Sequence, residues 1–137
     1  MAHITGGCLC GNIRYSLKSD PALVAQCHCK NCQKQSGSAF SVNLMLPVSD
    51  LDLVGELKIY ADKETTSGKP VYRGFCPECG SPIKSDVAST EGYVFIKAGT
   101  LDQLKWPWLK PTTQIFCDSR QPWMPIIGDT ENFARDG

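Results

Sequence analysis

Cys76-Pro77-Glu78-Cys79-Gly80 is the stretch on which the reading of this chain turns. A Cys-x-x-Cys turn brings two sulfurs within reach of one metal ion, Pro77 fixes one backbone dihedral, and Gly80 lets the following amide approach a sulfur. A thioredoxin-like redox reading of the same residues needs a βαβ setting that the flanking sequence lacks. Such a knuckle supplies only two ligands. The second pair must come from Cys8/Cys10 or from two members of Cys27/Cys29/Cys32.

Outward from the knuckle the chain reads as short strands. Val71 to Phe75 runs into Cys76. Tyr93 to Ala98 and Thr112 to Cys117 are further strands. On the other side, Phe40, Val42, Leu44 and Leu46 alternate with Ser41, Asn43 and Met45, and Ile13, Tyr15 and Leu17 alternate with polar neighbours. Ala22 to Gln26 is a short apolar strand that delivers Cys27. Leu51 to Val54 and Leu57 to Tyr60 look like two strands meeting at a turn near Gly55. Lys30 to Ser38 lacks strand periodicity and predicts one or two helical turns stopped at Gly37. Asp62 to Pro70 reads as a loop. Gly6, Gly7 and Gly11 around Cys8 and Cys10 are expected to let the backbone curl. Many short strands without a long helical period predict an all-β architecture, and 137 residues predict one domain over 1–137.

Fourteen basic and fourteen acidic residues balance, and no basic stripe interrupts the pattern, which argues against nucleic acid. Apolar runs are strand-sized, so no membrane contact is expected. The first residues, Met1 to Thr5, carry no signal-peptide pattern, and the cytoplasm is the expected compartment. Seven of the eight cysteines fall in close groups, which suits metal ligation better than disulfides in a reducing compartment.

Four cysteines close a tetrahedron and make a structural site. Cys27-His28-Cys29-Lys30-Asn31-Cys32 presents three more thiolates, and three protein ligands with a free position mark a catalytic zinc. A fourth donor from Cys117 or His28 would close that site instead. His28, lying between two ligands in an extended segment, is expected to point away; it is a candidate general acid or base, or a packing residue. An open three-thiolate centre is suited to holding a substrate thiolate, and so to making or breaking a carbon–sulfur bond. Gln33, Lys34, Gln35 and Ser36 read as pocket donors or as a solvated helical face. Arg73 and Lys63 are candidate contacts for carboxylates, with a surface position expected. Trp106, Trp108 and Trp123 read as core or interface anchors.

Cys-x-Cys, then Cys-His-Cys-x-x-Cys followed by Ser36-Gly37-Ser38-Ala39-Phe40, then Cys-Pro-x-Cys-Gly and the late Pro122-Trp123, resembles the glutathione-dependent formaldehyde-activating family, related to the centromere protein V domain. Gln33 and Met45 stand where that family often has Arg and Trp. The resemblance implies an Mss4-like β-tent of small antiparallel sheets with zinc knuckles and one short helical segment. It implies a structural zinc on Cys8, Cys10, Cys76 and Cys79 and a catalytic zinc on Cys27, Cys29 and Cys32. It further implies a carbon–sulfur lyase that joins glutathione and formaldehyde, with a small thiol as partner and a homodimer allowed. The alternative is a non-catalytic zinc module that binds a protein.

Overall fold

The structure is a computed structural model, and it describes residues 4–125 and 130–135. Among the described residues, eleven strands and one α-helix follow in order as β1 (Ile4–Gly7), β2 (Arg14–Leu17), β3 (Leu23–Cys27), α1 (Lys30–Ser36), β4 (Ser41–Pro47), β5 (Leu51–Val54), β6 (Lys58–Asp62), β7 (Val71–Phe75), β8 (Pro82–Val87), β9 (Tyr93–Lys97), β10 (Thr113–Ile115) and β11 (Glu131–Asn132), with short 3₁₀ turns between some of them. The expected β-protein with one helical segment is the fold observed. Its sheets are one small and one large rather than uniformly small. Strands β1, β2 and β5 form the three-stranded sheet; the other runs β11-β10-β3-β4-β9-β8-β7-β6, antiparallel except where β10 pairs with β3 and β11.

The two sheets enclose the apolar core. Ile4, Tyr15 and Leu17 from the small sheet, with Ile13, meet Val24, Leu44, Leu46, Val94 and Ile96 from one face of the large one. Alternation along the strands carries the opposite set to the other face. Register aligns Arg73, Ser85, Phe95 and Met45 in one row across β7, β8, β9 and β4, and Lys97, Asn43 and Ala25 in the next. The large sheet therefore has one oily face and one face set with polar groups that are themselves buried. In β8 the pairing jumps from Lys84 opposite Gly74 to Pro82 opposite Phe75, which leaves Ile83 as the extra residue of a bulge. Ile83 is fully buried in the core.

Three sequence expectations change here. The strands flanking Gly55 meet at a turn but do not pair: β5 joins β2, while β6 crosses to the far edge of the large sheet. Gly6 and Gly7 sit in β1, where a Cβ on Gly6 would collide with the Tyr15 hydroxyl and the Thr100 carbonyl. Close approach requires them, not a curl. Strands β1 and β11 are short and rich in glycine or polar residues, and β8 opens on a proline and a bulge and alternates Lys84 and Asp86 with Ser85, so none of the three shows an apolar strand pattern. By contrast, α1 ends where expected, on Gly37 at φ 68°, whose N–H reaches the Gln33 carbonyl.

Candidate metal centre

Two groups of cysteines converge. Cys8, Cys10, Cys76 and Cys79 form one, Cys27, Cys29 and Cys32 the other, and within each group the sulfurs lie within 4.8 Å of one another. All eight cysteines are free thiols. Four thiolates about 2.3 Å from a tetrahedral zinc would stand about 3.8 Å apart. Cys8 and Cys10 Sγ are 3.5 Å apart, and Cys10 and Cys76 Sγ are 3.7 Å apart. The first group therefore fits a tetrahedral metal ion, and its second pair is Cys8/Cys10, not members of the Cys27 cluster.

The knuckle is built as its residues require. Gly80 adopts φ 79°, which lets its N–H return to the Cys76 carbonyl at 2.9 Å, while the Glu78 and Cys79 amides point at Cys76 Sγ from 3.4 and 3.5 Å. Ile13 N–H donates to Cys8 Sγ at 3.2 Å. Such amides lower the cost of gathering several thiolates in one place. Cys8 and Cys76 are core residues, Cys79 Sγ meets the Ser81 hydroxyl at 3.2 Å, and Cys10 lies at the exposed side.

The three-cysteine group is different. Cys27 ends β3, Cys29 caps α1, and Cys32 lies one turn into the helix, with its N–H donating to Cys29 Sγ at 3.2 Å. Its sulfurs border a cavity of about 540 Å³ on the polar face of the large sheet. Ala25, Asn43, Arg73, Ser85, Phe95 and Lys97 pave that face, and Glu64 to Ser67 of the loop after β6 form part of the rim. Neither Cys117 nor His28 belongs to the group. Cys117 is buried elsewhere, at the start of a 3₁₀ turn.

His28 lies on the opposite side of β3 from Cys27, as alternation demands. Its ring is completely buried, bonded through Nε2 to Gln114 Oε1 at 2.7 Å and tilted against Phe40. It stands outside the cavity lining, packed between Gln114 and Phe40. Gln33 is not a solvated helical residue. It is buried, donating from Nε2 to the carbonyls of His28 at 2.8 Å and Ser119 at 2.9 Å, and so ties α1 to both neighbouring segments. Lys34 is exposed, as a solvated face requires.

Arg73 is likewise not on the surface. Its guanidinium meets the buried Asp62 carboxylate in a two-pronged bridge, Nε at 3.0 Å and Nη2 at 2.9 Å. Asp62 also accepts from Asn31 Nδ2 at 3.0 Å and from the Glu64 amide at 3.3 Å. One carboxylate thus joins the cysteine loop, strand β7 and the loop after β6. Lys63, its neighbour, is exposed. Burial works against the Arg73 charge, but Cys32 and Asp62 outweigh it and hold the guanidinium above its ordinary range. Lys97 sits on the cavity floor and donates to Asn43 Oδ1 at 2.8 Å; burial pushes its ammonium down, with Cys32 opposing. Hydrogen bonds from Cys27 and Cys29 pull the Cys32 thiol down, and the Lys97 charge adds to the fall.

Lys97, Asn43, Ser85 and Asp62 were not singled out from the sequence. The signal for Lys97 was present: a lysine inside Tyr-Val-Phe-Ile-Lys-Ala sits in a strand otherwise apolar. Trp106 and Trp108 stack 6.0 Å apart against the core, whereas Trp123 is 66% exposed.

A β-protein with one closed four-cysteine corner and one three-cysteine cluster beside a cavity is the class defined by these observations. Its sequence matches the family described as "Glutathione-dependent formaldehyde-activating enzyme" over residues 3–119, and the chain belongs to that family. A crystal structure of a Rhodobacter sphaeroides protein shares the fold, with a TM-score of 0.57 at 20% identity over 73% of this chain and 89% of that one. Among the described residues no helix is long and apolar enough to cross a membrane.

Proposed function

We propose that this chain is a zinc-dependent carbon–sulfur lyase acting on a thiol adduct, with S-hydroxymethylglutathione, formed from or returned to glutathione and formaldehyde, as its leading substrate. One observation carries the reading. Three cysteine sulfurs converge at the edge of a cavity of about 540 Å³, and no fourth cysteine, histidine or carboxylate joins them among the described residues. The family to which the chain belongs supports the same chemistry.

In this reading Cys8, Cys10, Cys76 and Cys79 hold a structural zinc, and Cys27, Cys29 and Cys32 hold the catalytic one. A zinc ion at the second site would keep an incoming thiol deprotonated and make it a good leaving group. The protein's own groups do the rest. Asp62 fixes the cysteine loop through Asn31, Gln33 anchors α1, and Phe95, Val71 and Ile115 supply apolar wall to the cavity. The same reading treats residues 1–137 as one domain in the reducing cytoplasm, where free thiols persist.

The test is metal counting combined with adduct exchange. The native protein should carry two zinc ions per chain and accelerate exchange between formaldehyde, glutathione and their adduct, followed by NMR. Cys32→Ser should keep the fold and one zinc while losing the acceleration. A Cys32→Ser protein as active as the native one would defeat the proposal. A native protein that neither accelerates exchange nor responds to glutathione would support the protein-binding module instead.

A further inference from the structure

We infer that the floor of the cavity is an oxygen-binding site, in which Lys97 Nζ and Ser85 Oγ receive the oxygen of a substrate whose sulfur lies at the three cysteines. The inference rests on the reading of that cluster as open to a thiol, and it adds which groups meet the other end of the reacting carbon.

Two independent observations carry it. Ser85 is 96% buried, being 4% exposed, lies in the cavity lining, and its hydroxyl finds no hydrogen-bond partner among the described residues. A sealed hydroxyl without a partner is costly, and the cost is removed when a ligand oxygen accepts from it. Lys97 is the second. An ammonium has three N–H donors, and the bond to Asn43 Oδ1 uses one. Its neighbour on that floor, Arg73, is already matched by Asp62, whereas Asn43 is neutral, so the Lys97 charge faces the three sulfurs and the cavity between them. Sheet register places the pair correctly. Ser85 stands opposite Phe95, two residues from Lys97 on the same face of β9, and the diagonal reach of about 7–8 Å is spanned by a lysine side chain.

The chemistry needs such a site. When a thiolate adds to an aldehyde, the sulfur pair forms the C–S bond and the C=O π pair moves onto oxygen. That oxygen ends with a proton equivalent to the one the thiol released, so the product is the neutral hydroxyalkyl thioether. In the reverse direction the π bond reforms as the C–S bond breaks. Donors aimed at the oxygen stabilise the charge it carries between these states. The ligand class is therefore a thiol with oxygen close to the sulfur-bearing carbon.

Calorimetry on the zinc-loaded protein tests this with two probes, mercaptoacetate and ethanethiol. Mercaptoacetate should bind at least about tenfold tighter, as expected for hydrogen bonds to a charged group. Ser85→Ala should reduce that ratio while leaving ethanethiol affinity and zinc content unchanged, and Lys97→Met, which also removes a charge facing the sulfurs, should weaken mercaptoacetate more than ethanethiol. Should Lys97→Met lose zinc or fold poorly, Ser85→Ala decides alone. Equal affinities for the two thiols, a ratio preserved in Ser85→Ala, or Lys97→Met weakening both thiols alike would overturn the oxygen site while leaving the lyase reading intact. If neither thiol binds, the open cluster itself fails, and this inference with it.

Discussion

The corner that gathers Cys8, Cys10, Cys76 and Cys79 and the floor that carries Cys27, Cys29 and Cys32 use the same ligand atom for opposite ends. At the corner, sulfurs from residues 66 positions apart in the chain, Cys10 and Cys76, stand 3.7 Å from each other, with backbone amides and core side chains around Cys8 and Cys76 and Cys10 on the exposed side. On the floor, all three sulfurs come from one six-residue stretch and face a cavity with a lysine and an arginine. Ligand count alone does not explain the contrast. A metal held there, as proposed, would tie the end of β1 to the end of β7 and so do mechanical work for the fold. A local cluster ties nothing distant together. It is free to serve chemistry.

The largest effect should separate the two regions directly. With the proposed structural zinc in place, Cys76→Ser removes one fully buried sulfur from it, and structural zinc sites contribute on the order of 10 kcal/mol. Most of a domain's net stability is of that size, so this variant is expected to be unfolded or molten by circular dichroism and proton NMR. Cys32→Ser, at the local cluster, is expected to keep a native-like melt. Equal loss of structure in both would erase the distinction drawn between corner and floor.

An intermediate effect is expected where the floor is nonetheless part of the fold. The Asp62–Arg73 bridge is buried on both sides, and removing one partner of a buried pair typically costs about 3–5 kcal/mol. Asp62→Ala also removes an acceptor from the Glu64 amide and leaves Asn31 Nδ2 only its 2.7 Å bond to the Glu64 carbonyl, so it should loosen the cysteine loop and the cavity rim together. Urea unfolding with metal content measured in parallel checks both. Loss of stability with the second metal retained at native affinity would show that the bridge supports the sheet and not the cluster.

How far the sequence could be read follows the same division. Cys76-Pro77-Glu78-Cys79-Gly80 is legible because its geometry is local: the turn, the proline and the left-handed glycine act within five residues. The helix from Lys30 and its stop at Gly37 are local too. What the sequence left open was whatever depends on pairing between distant strands. Ser41 and Asn43 alternate with Val42 and Leu44 as a half-buried strand should, yet the polar side is covered, because the cavity floor faces protein instead of bulk water. Arg73 was expected at the surface for the same reason. Nothing in its neighbours Tyr72 and Gly74 announces Asp62, eleven residues earlier on the adjacent strand. Gly6 carried the wrong explanation because the Tyr15 ring that crowds it comes from β2.

The smallest effect belongs to the corner side and concerns Tyr15, which packs between the small sheet and the core and shares a 2.7 Å hydrogen bond with Thr100. Burial pushes its phenol up to about 12, with the Thr100 bond opposing. The sign is fixed by which state releases the proton first. The unfolded chain loses it near pH 10, the folded protein only near 12, so the contribution is whole below pH 10 and is lost as pH rises between the two. Each unit of that difference corresponds to about 1.4 kcal/mol. Tyr15→Phe should cost about 1 kcal/mol at neutral pH, for the lost hydrogen bond, and should flatten the fall in melting temperature above pH 10. Thiolate ligation strengthens rather than fails in base, so the four-cysteine corner should hold through the same range. Native and Tyr15→Phe curves that decline in parallel above pH 10 would mean that the ring is hydrated in the folded state, and that the core it shares with Cys8 and Cys76 is less dry than its burial implies.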